Sequence, residues 1–250
     1  MGMLFKFIKS DFQKIRRTSI MWIHVVVPIL ISVMFVAYYT ASPLISDKIG
    51  LYIQVLSMGF PLIIGVVCAM TVEQEADAGN FRELLMARHK MLKFFSKLCM
   101  LLIMGLGSLI TAIGILGLGL EFLAHENVFS AVFYEKIILI LLFCEIFSYL
   151  LHLLCSFRFG NGASIGLGIV ESLITARMIT GLGDIFWKWF PCSWGWRIPG
   201  YYITLKIDNG KNLFLMNEFK SGIYICLAAT ILLLLVSFLW YNYFEGRSEN

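Results

Sequence analysis

The chain has 250 residues, of which 59% are hydrophobic and only 14% charged, and its formal net charge is +4. Its mean hydropathy is +0.82. Soluble domains carry about 45–50% apolar and about 25% charged residues, so this composition excludes a soluble domain of useful size and indicates an integral membrane protein. A spanning helix needs about 20 apolar residues, which leaves room for about six spans with short connections. The modest charge bears on membrane orientation and gives no reason to expect nucleic-acid binding.

The first segment, residues 1–17, mixes apolar and basic side chains at helical spacing. Leu4, Ile8 and Ile15 belong to the apolar set, and Lys6 and Lys14 to the bases between them. This pattern predicts an amphipathic helix lying in the lipid interface. No short apolar core with a small-residue cleavage site follows it, so we expect no cleavable signal peptide.

Six apolar runs follow this helix, and each is long enough to span a bilayer. The predicted spans are residues 20–39, 51–72, 98–120, 133–157, 163–183 and 221–244. Short loops are expected at 41–50, 121–132 and 158–162. The long connection 184–220 holds four tryptophans, which concentrate at headgroup level, and we expect it to lie in the interface or to form a re-entrant hairpin. The predicted fold is therefore an all-α membrane protein, a single transmembrane domain over residues 1–250.

The segment 73–97, which we call the hinge, is the only long, densely charged stretch between apolar runs. Acidic residues come first and basic residues last, the order that complements a helix dipole. Phe81, Leu84 and Leu85 recur at three- and four-residue spacing, which predicts one apolar face of a short surface helix. Two interpretations stay open from the pattern alone: an ordinary solvated loop helix, or a helix that docks on a cytoplasmic partner.

Nucleotide-binding and metal-binding motifs are missing from the sequence. The glycine-rich stretch 159–168 lacks the lysine of a phosphate-binding loop, so we read it as a helix-packing surface. The cysteines show no CxxC or Cys/His spacing, and we expect buried single thiols and no metal. Ionisable residues inside the predicted spans are functional candidates; they are Glu145, His152, Glu171 and Arg177. Glu145 and His152 are seven residues apart on one helical face, where a proton relay is conceivable, whereas the simpler interpretation pairs Glu145, Glu171 and Arg177 with one another.

The hinge motif resembles that of the ABC-2 type permeases, in their lantibiotic-immunity (bacteriocin self-protection) branch. The residues that carry the resemblance are Glu73, Glu75, Gly79, Asn80, Phe81, Leu84, Leu85 and Lys97. The predicted elements also match that family in order: an interfacial helix, six spans, the hinge between spans two and three, and a re-entrant region before span six. The resemblance therefore covers essentially the whole chain.

This resemblance implies a permease subunit without enzymatic activity in a bacterial cell membrane. A separate ABC ATPase would bind ATP and Mg²⁺, a second permease subunit would complete the transporter, and this chain would bind no cofactor directly. The implied substrate is an amphiphilic antimicrobial peptide. In the hinge, Phe81, Leu84 and Leu85 would be anchors in an ATPase groove, Glu73, Glu75 and Glu83 would orient the helix on the partner, and Gly79 would allow the turn where the helix begins.

Two other function classes are weighed against this one. A secondary transporter would work without an ATPase and would use Glu145 and His152 for protons. An intramembrane protease of the CPBP type needs paired glutamates followed by arginine and by histidines on later spans, and that set is missing from the sequence.

The positions of the basic residues predict the orientation in the membrane. Lys and Arg are concentrated in 1–17 and in the 73–97 hinge, and such segments stay in the cytoplasm. With both termini cytoplasmic, a cysteine at Asn127 or Asn209 in a background without native cysteines should react with an impermeant thiol reagent in intact cells. A cysteine at Ala87 should react only after permeabilisation, and its labelling in intact cells would overturn this orientation.

Overall fold

The computed structural model describes residues 2–40, 47–123 and 129–247. Parts of the predicted connections 41–50 and 121–132, namely residues 41–46 and 124–128, lie outside these described residues, as does the chain end from 248 on. The described part of the chain contains α-helices and short 3₁₀ turns and no strand. The prediction of an all-α, multi-pass membrane fold is confirmed.

The helices follow the predicted order. They are α1 (Gly2–Ile15), α2 (Ser19–Thr40), α3 (Lys48–Asp77), α4 (Arg82–Leu85), α5 (Lys90–Phe122), α6 (Ala131–Phe159), α7 (Asn161–Met178), α8 (Gly183–Phe186), α9 (Trp194–Ile207) and α10 (Leu213–Asn242). Among the described residues, α2, α3, α5, α6 and α10 are each long and apolar enough to cross a membrane. The fifth predicted span, 163–183, is different: α7 ends at Met178, and the chain then bends by 111° into α8 and a 3₁₀ turn.

The hinge is shorter than the sequence predicts, because the two flanking spans extend into it. α3 has 30 residues and reaches Asp77, and α5 has 33 residues and begins at Lys90. A helix of that length measures about 50 Å, well beyond the roughly 30 Å of hydrocarbon. Between the two long helices only Arg82–Leu85 forms a separate helix, so the short surface helix predicted here has four residues.

The segment between α7 and α10 folds back into the bundle, as its contacts with α6 show. The Trp194 ring lies 5.3 Å from the ring of Phe147, near the middle of α6, whereas the Tyr202 ring lies 5.7 Å from Phe133, near its start. Thus α9 runs from the middle of α6 back to its start. This is the path of the re-entrant region expected before the last span.

The tryptophans of this segment differ widely in their exposure. Trp187 and Trp194 are fully buried in a cluster with Cys144, Ile198 and Cys226, while Trp189 is exposed. The indoles therefore fill the space between α6, α9 and α10. Of the two arrangements expected for 184–220, an interfacial segment or a re-entrant hairpin, these buried indoles fit the second.

Glycines bring α3 and α7 into close contact. A Cβ added to Gly168 would lie 2.7 Å from the Pro61 carbonyl oxygen and 3.0 Å from the Leu62 Cα, and one added to Gly65 would lie 2.8 Å from the Ser164 carbonyl oxygen. Small residues let membrane helices approach backbone to backbone. The helix-packing interpretation of the 159–168 glycines thus holds for Gly168, whereas Gly166 faces open space.

We expect Gly168→Ala to destabilise the protein, because its methyl group would meet backbone atoms that cannot rotate away. Overpacking of this kind costs about 1–3 kcal/mol, which should lower the thermal unfolding midpoint in detergent by several degrees. Gly166→Ala, two residues away on the same helix, is the matched control and should leave the midpoint unchanged or slightly raised. Equal midpoints for the two variants would contradict the close α3–α7 contact.

Candidate coupling site

The chain turns sharply after α3 through three consecutive residues with positive φ. Gly79, Asn80 and Phe81 have φ values of 128°, 47° and 63°. The backbone N–H groups of Asn80 and Phe81 donate to the carbonyls of Ala76 and Glu75 and close the end of α3. A Cβ added to Gly79 would meet nothing within 4 Å. Glycine is therefore favoured at this position by the positive φ of the backbone and not by a lack of space.

This turn directs the expected docking anchors into the protein. Phe81 and Leu84 are each only 1% exposed. The Phe81 ring lies 5.5 Å from the Phe244 ring and 5.9 Å from the Phe157 ring, and the Arg247 guanidinium lies 5.1 Å from its centroid.

The assignment of Phe81 and Leu84 as surface anchors is therefore wrong in this structure. Both residues belong to the chain's own core, and Leu85 is partly buried against the same cluster. Among residues 81–86, the exposed side chains are those of Arg82, Glu83 and Met86.

A cluster of charged side chains lies beside the turn, where α1, α3, α4 and α5 meet. The Lys97 Nζ is 2.6 Å from the Glu75 Oε1 and 3.5 Å from the Asp11 Oδ1, and all three side chains are buried. The Lys14 Nζ bridges the Glu75 Oε1 at 2.9 Å and the Glu83 Oε2 at 2.7 Å. These contacts join the N-terminal helix to both long helices of the hinge.

Lys93 completes the cluster, since its Nζ lies 2.6 Å from the Glu83 Oε1. Three carboxylates thus face three ammonium groups, and the cluster is neutral as a whole. Nearby, the Arg247 Nη2 donates to the Glu73 Oε2 at 2.8 Å. The glutamates expected to orient the hinge on a partner protein are instead paired within the chain, because each lies within reach of a base from another helix or from the C-terminal segment.

The groups at the surface of this cluster are held in their charged forms. Hydrogen bonds from Lys14 and Lys93 lower the pKa of Glu83 to about 2. Burial of Lys14 opposes its charge, but its hydrogen bonds to Glu83 and Glu75 outweigh that effect and raise its pKa. Both residues therefore stay ionised across the neutral and mildly acidic range.

The comparison with protein families gives this site its context. The family model described as "ABC-2 family transporter protein" matches residues 7–175, more than half of the chain. The chain belongs to this family. The matched stretch includes every member of the charged cluster. No curated protein and no solved structure was found to match the chain.

Membership confirms the resemblance at the level of an ABC-2 type permease. The chain is a membrane permease subunit of an ABC transport system and not the ATPase. The family implies an ABC ATPase as its partner, and the hinge of this permease is the long charged segment between two spans.

The ionisable residues inside the permease form contacts that the sequence did not predict. The His152 Nε2 lies 3.0 Å from the Glu171 Oε2, and its Nδ1 lies 3.1 Å from the Ser164 Oγ. The Ser164 hydroxyl also donates to the Gly65 carbonyl oxygen at 3.0 Å. This network ties α6 and α7 to α3, and it gives Glu171 a buried partner.

The remaining two candidates lie apart from this network. Arg177 is exposed, and no ion pair of its guanidinium is found within the described ranges. Glu145 is buried and lines a different cavity, between α2, α3, α5 and α6. The expected pairing of Glu145, Glu171 and Arg177 with one another is therefore wrong. A direct relay between Glu145 and His152 is also wrong, because the two ring nitrogens of His152 lie against Glu171 and Ser164.

No group of three or more His, Cys, Asp or Glu side chains could hold a metal ion in the part of the chain that the structure describes. The cysteines are free thiols; Cys99 and Cys155 are partly buried, and the other four are buried.

Sequence reasoning missed Asp11, Lys14 and Lys93 as members of the charged cluster. The sequence did contain a signal for Asp11. The spacing of helical neighbours places this acid on the same stripe as three apolar residues of the basic helix, Leu4, Ile8 and Ile15. A carboxylate at such a position needs a buried basic partner.

We expect Lys97→Met to destabilise the permease strongly, because it leaves Asp11 and Glu75 as buried acids without their shared base. Breaking a buried ion pair in this way costs about 3–5 kcal/mol, which should appear as reduced membrane abundance and a lower unfolding midpoint. Lys9→Met changes an exposed lysine of α1 and serves as the control. Unchanged stability of Lys97→Met would show that the cluster does not hold α1 in place.

Proposed function

We propose that this permease belongs to an ABC exporter that removes amphiphilic antimicrobial peptides from a bacterial cell membrane, as in lantibiotic self-immunity. Membership of the ABC-2 family, the hinge motif and the re-entrant segment before the last span support this proposal. A second permease subunit would complete the transport unit. ATP and Mg²⁺ would be bound by the ATPase subunit, and both termini of this chain would face the same cytoplasmic side as the hinge.

The observation that carries the proposal is an exposed groove at the hinge. It has a volume of about 750 Å³ and is lined by residues of α1 and of the segment around α4, among them Met3, Phe7, Arg82, Met86 and Arg88. Met86 is 78% exposed and stands beside the buried Leu84. Met86 shares the groove with two further large apolar residues, Met3 and Phe7, and charged side chains lie around them. An apolar centre with a charged rim is the composition of a protein-binding patch, and we assign the ATPase to this groove.

A displacement of the groove residues would be transmitted to the bundle, because residues in and beside the groove contact several helices. Glu83 is bonded to α1 through Lys14 and to α5 through Lys93. Phe81 packs on the end of α6 through Phe157 and on Phe244 after α10. A displacement of α4 by the ATPase would therefore move α1, α5 and α6 together.

The alternative of an ATPase-independent transporter has less support. Its proposed proton carriers, Glu145 and His152, have different surroundings, because His152 is bonded to Glu171 and Ser164 while Glu145 lines a separate cavity. Family membership also implies an ATPase.

We expect Met86→Glu to uncouple the permease without unfolding it. Burying a methionine is worth about 1.5–3 kcal/mol, so its loss should weaken capture of the ATPase about tenfold or more and abolish peptide resistance. Membrane abundance and the unfolding midpoint should stay unchanged, because Met86 contributes little to the core. Co-purification with the ATPase, peptide-stimulated ATP hydrolysis and growth in the presence of peptide measure these effects.

Two further variants distinguish docking from folding. Met86→Leu keeps an apolar side chain of similar size and should retain coupling. Phe81→Ala, in contrast, should lower the stability of the permease itself, because it leaves a cavity between Phe157 and Phe244. Full peptide resistance of Met86→Glu at normal abundance, or resistance that needs a proton gradient and no ATPase, would overturn the proposal.

A further inference from the structure

A small cavity lies inside the bundle, between α2, α3, α5 and α6. Its volume is about 50 Å³, and most of its wall is apolar, formed by residues such as Pro28, Leu56, Ile64 and Leu109. That volume accommodates a few water molecules, or a small polar group with a methylene attached. Neither lysine nor arginine is among the residues that line it.

Two buried polar side chains line this cavity, and each has one atom without a hydrogen-bond partner among the described residues. Glu145 is 5% exposed and His24 is 6% exposed. The Glu145 Oε1 and the His24 Nε2 are both buried, and neither has a partner within the described ranges. A buried polar atom left unsatisfied costs about 1–3 kcal/mol, so a group that donates to both atoms would be stabilised in this cavity.

The hydrogen bond of the other His24 nitrogen determines what the ring offers to the cavity. The His24 Nδ1 lies 2.9 Å from the Ile20 carbonyl oxygen, which can only accept a hydrogen bond. The Nδ1 therefore carries the proton, and the Nε2 of the neutral ring presents a lone pair. The cavity thus offers two acceptors, the Glu145 carboxylate and the His24 Nε2, together with the Tyr149 side chain on the same wall.

This arrangement selects a ligand that is positively charged and donates more than one hydrogen bond. An acid in apolar surroundings stays ionised only with a counter-charge, which a cationic ligand supplies, and the neutral imidazole on the same cavity wall accepts a hydrogen bond from a donor. A primary ammonium has three N–H donors in a compact head, and a slender alkyl chain would suit the surrounding apolar wall. Six wall residues are only partly buried, and all but one of them belong to α2 and α3, which places access for that chain on their side: Ile23, Val27, Ile31, Phe60 and Ile63, with Ser108 of α5 as the exception.

We propose that this cavity binds the primary ammonium group at the end of a slender apolar chain, with Glu145 as counter-ion and His24 as second acceptor. The amine would belong to a lysine side chain of an amphiphilic peptide or to an aminolipid headgroup, which offers the same primary ammonium on a shorter link. The peptide source rests on the proposed export function, whereas binding itself requires no ATPase.

The test uses the full-length permease in nanodiscs and n-hexylamine, which is protonated at neutral pH. Calorimetry, corrected with empty nanodiscs, should show saturable binding of the amine, and n-hexanol, its neutral counterpart, should bind at least about tenfold more weakly. This comparison is made on the unchanged protein and does not depend on any variant folding.

Variants then assign the acceptors. Glu145→Gln should weaken hexylamine binding about tenfold or more, and His24→Phe should weaken it severalfold. Glu171→Gln is the matched control, because that carboxylate pairs with His152 and does not line the cavity, and it should bind normally. Equal binding of hexylamine and hexanol, or unchanged affinity in Glu145→Gln, would overturn the proposal and leave a cavity that holds only water.

Competition identifies the source of the amine. Displacement of hexylamine by phosphatidylethanolamine, and not by phosphatidylglycerol, supports an aminolipid headgroup. Displacement by a lysine-containing amphiphilic peptide, and not by its acetylated form, supports the peptide, and competition by neither assigns the site to small free amines. Failure of amine binding would leave ATPase docking at Met86 untouched, and failure of docking would leave amine binding intact, so the two proposals are tested separately.

Discussion

The buried ammonium of Lys97 determines how the hinge end of the bundle is assembled. It lies between Glu75 of α3 and Asp11 of α1, and a charge taken out of water is tolerated only with such partners. Helices in lipid gain little from burying apolar surface against one another, because lipid tails are equally apolar. Apolar contacts alone would therefore let α1 slide along the long helices. The ion pairs, which need particular atoms at particular distances, fix its position and make the hinge one unit with the two spans that flank it.

This constraint changes the mechanical picture of the hinge. A freely exposed amphipathic helix would dock on a partner through Phe81 and Leu84 and would move on a flexible connection. Here both residues are buried in the core of the permease, and Glu83 is paired with α1 and α5. The hinge is thus rigidly joined to the bundle, and only its outer side chains, such as Met86, face solvent. A rigid attachment suits a coupling element, because a force applied at its surface reaches the spans without being absorbed by a loop.

The sequence predicted the long apolar helices, the broken region before the last span and the family, because each depends on local properties: run length, aromatic content and a short motif. It predicted poorly what covers a given face. Periodicity identifies Phe81 and Leu84 as one apolar face, but it does not tell whether that face meets the same chain or another. The partners of Glu75 and Glu171 were missed for a related reason, since Lys97 is 22 residues from Glu75 and His152 is 19 residues from Glu171. Such contacts depend on how the helices are arranged, although the acid on the apolar stripe of α1 did indicate a buried base.

The two polar sites within the bundle show how structural and functional groups differ. His152, Glu171 and Ser164 satisfy one another and the Gly65 carbonyl, so their contribution to joining α3, α6 and α7 is complete without any ligand. Glu145 and His24 are buried to a similar degree, yet they leave an oxygen and a nitrogen unsatisfied on the same cavity. A carboxylate whose role was only to pack or to join helices would gain by having a partner within the chain, as Glu171 has. Retaining an unpaired acceptor at a cost in stability is reasonable where a ligand supplies the missing donor, and this contrast is the strongest reason to expect a bound cation beside Glu145.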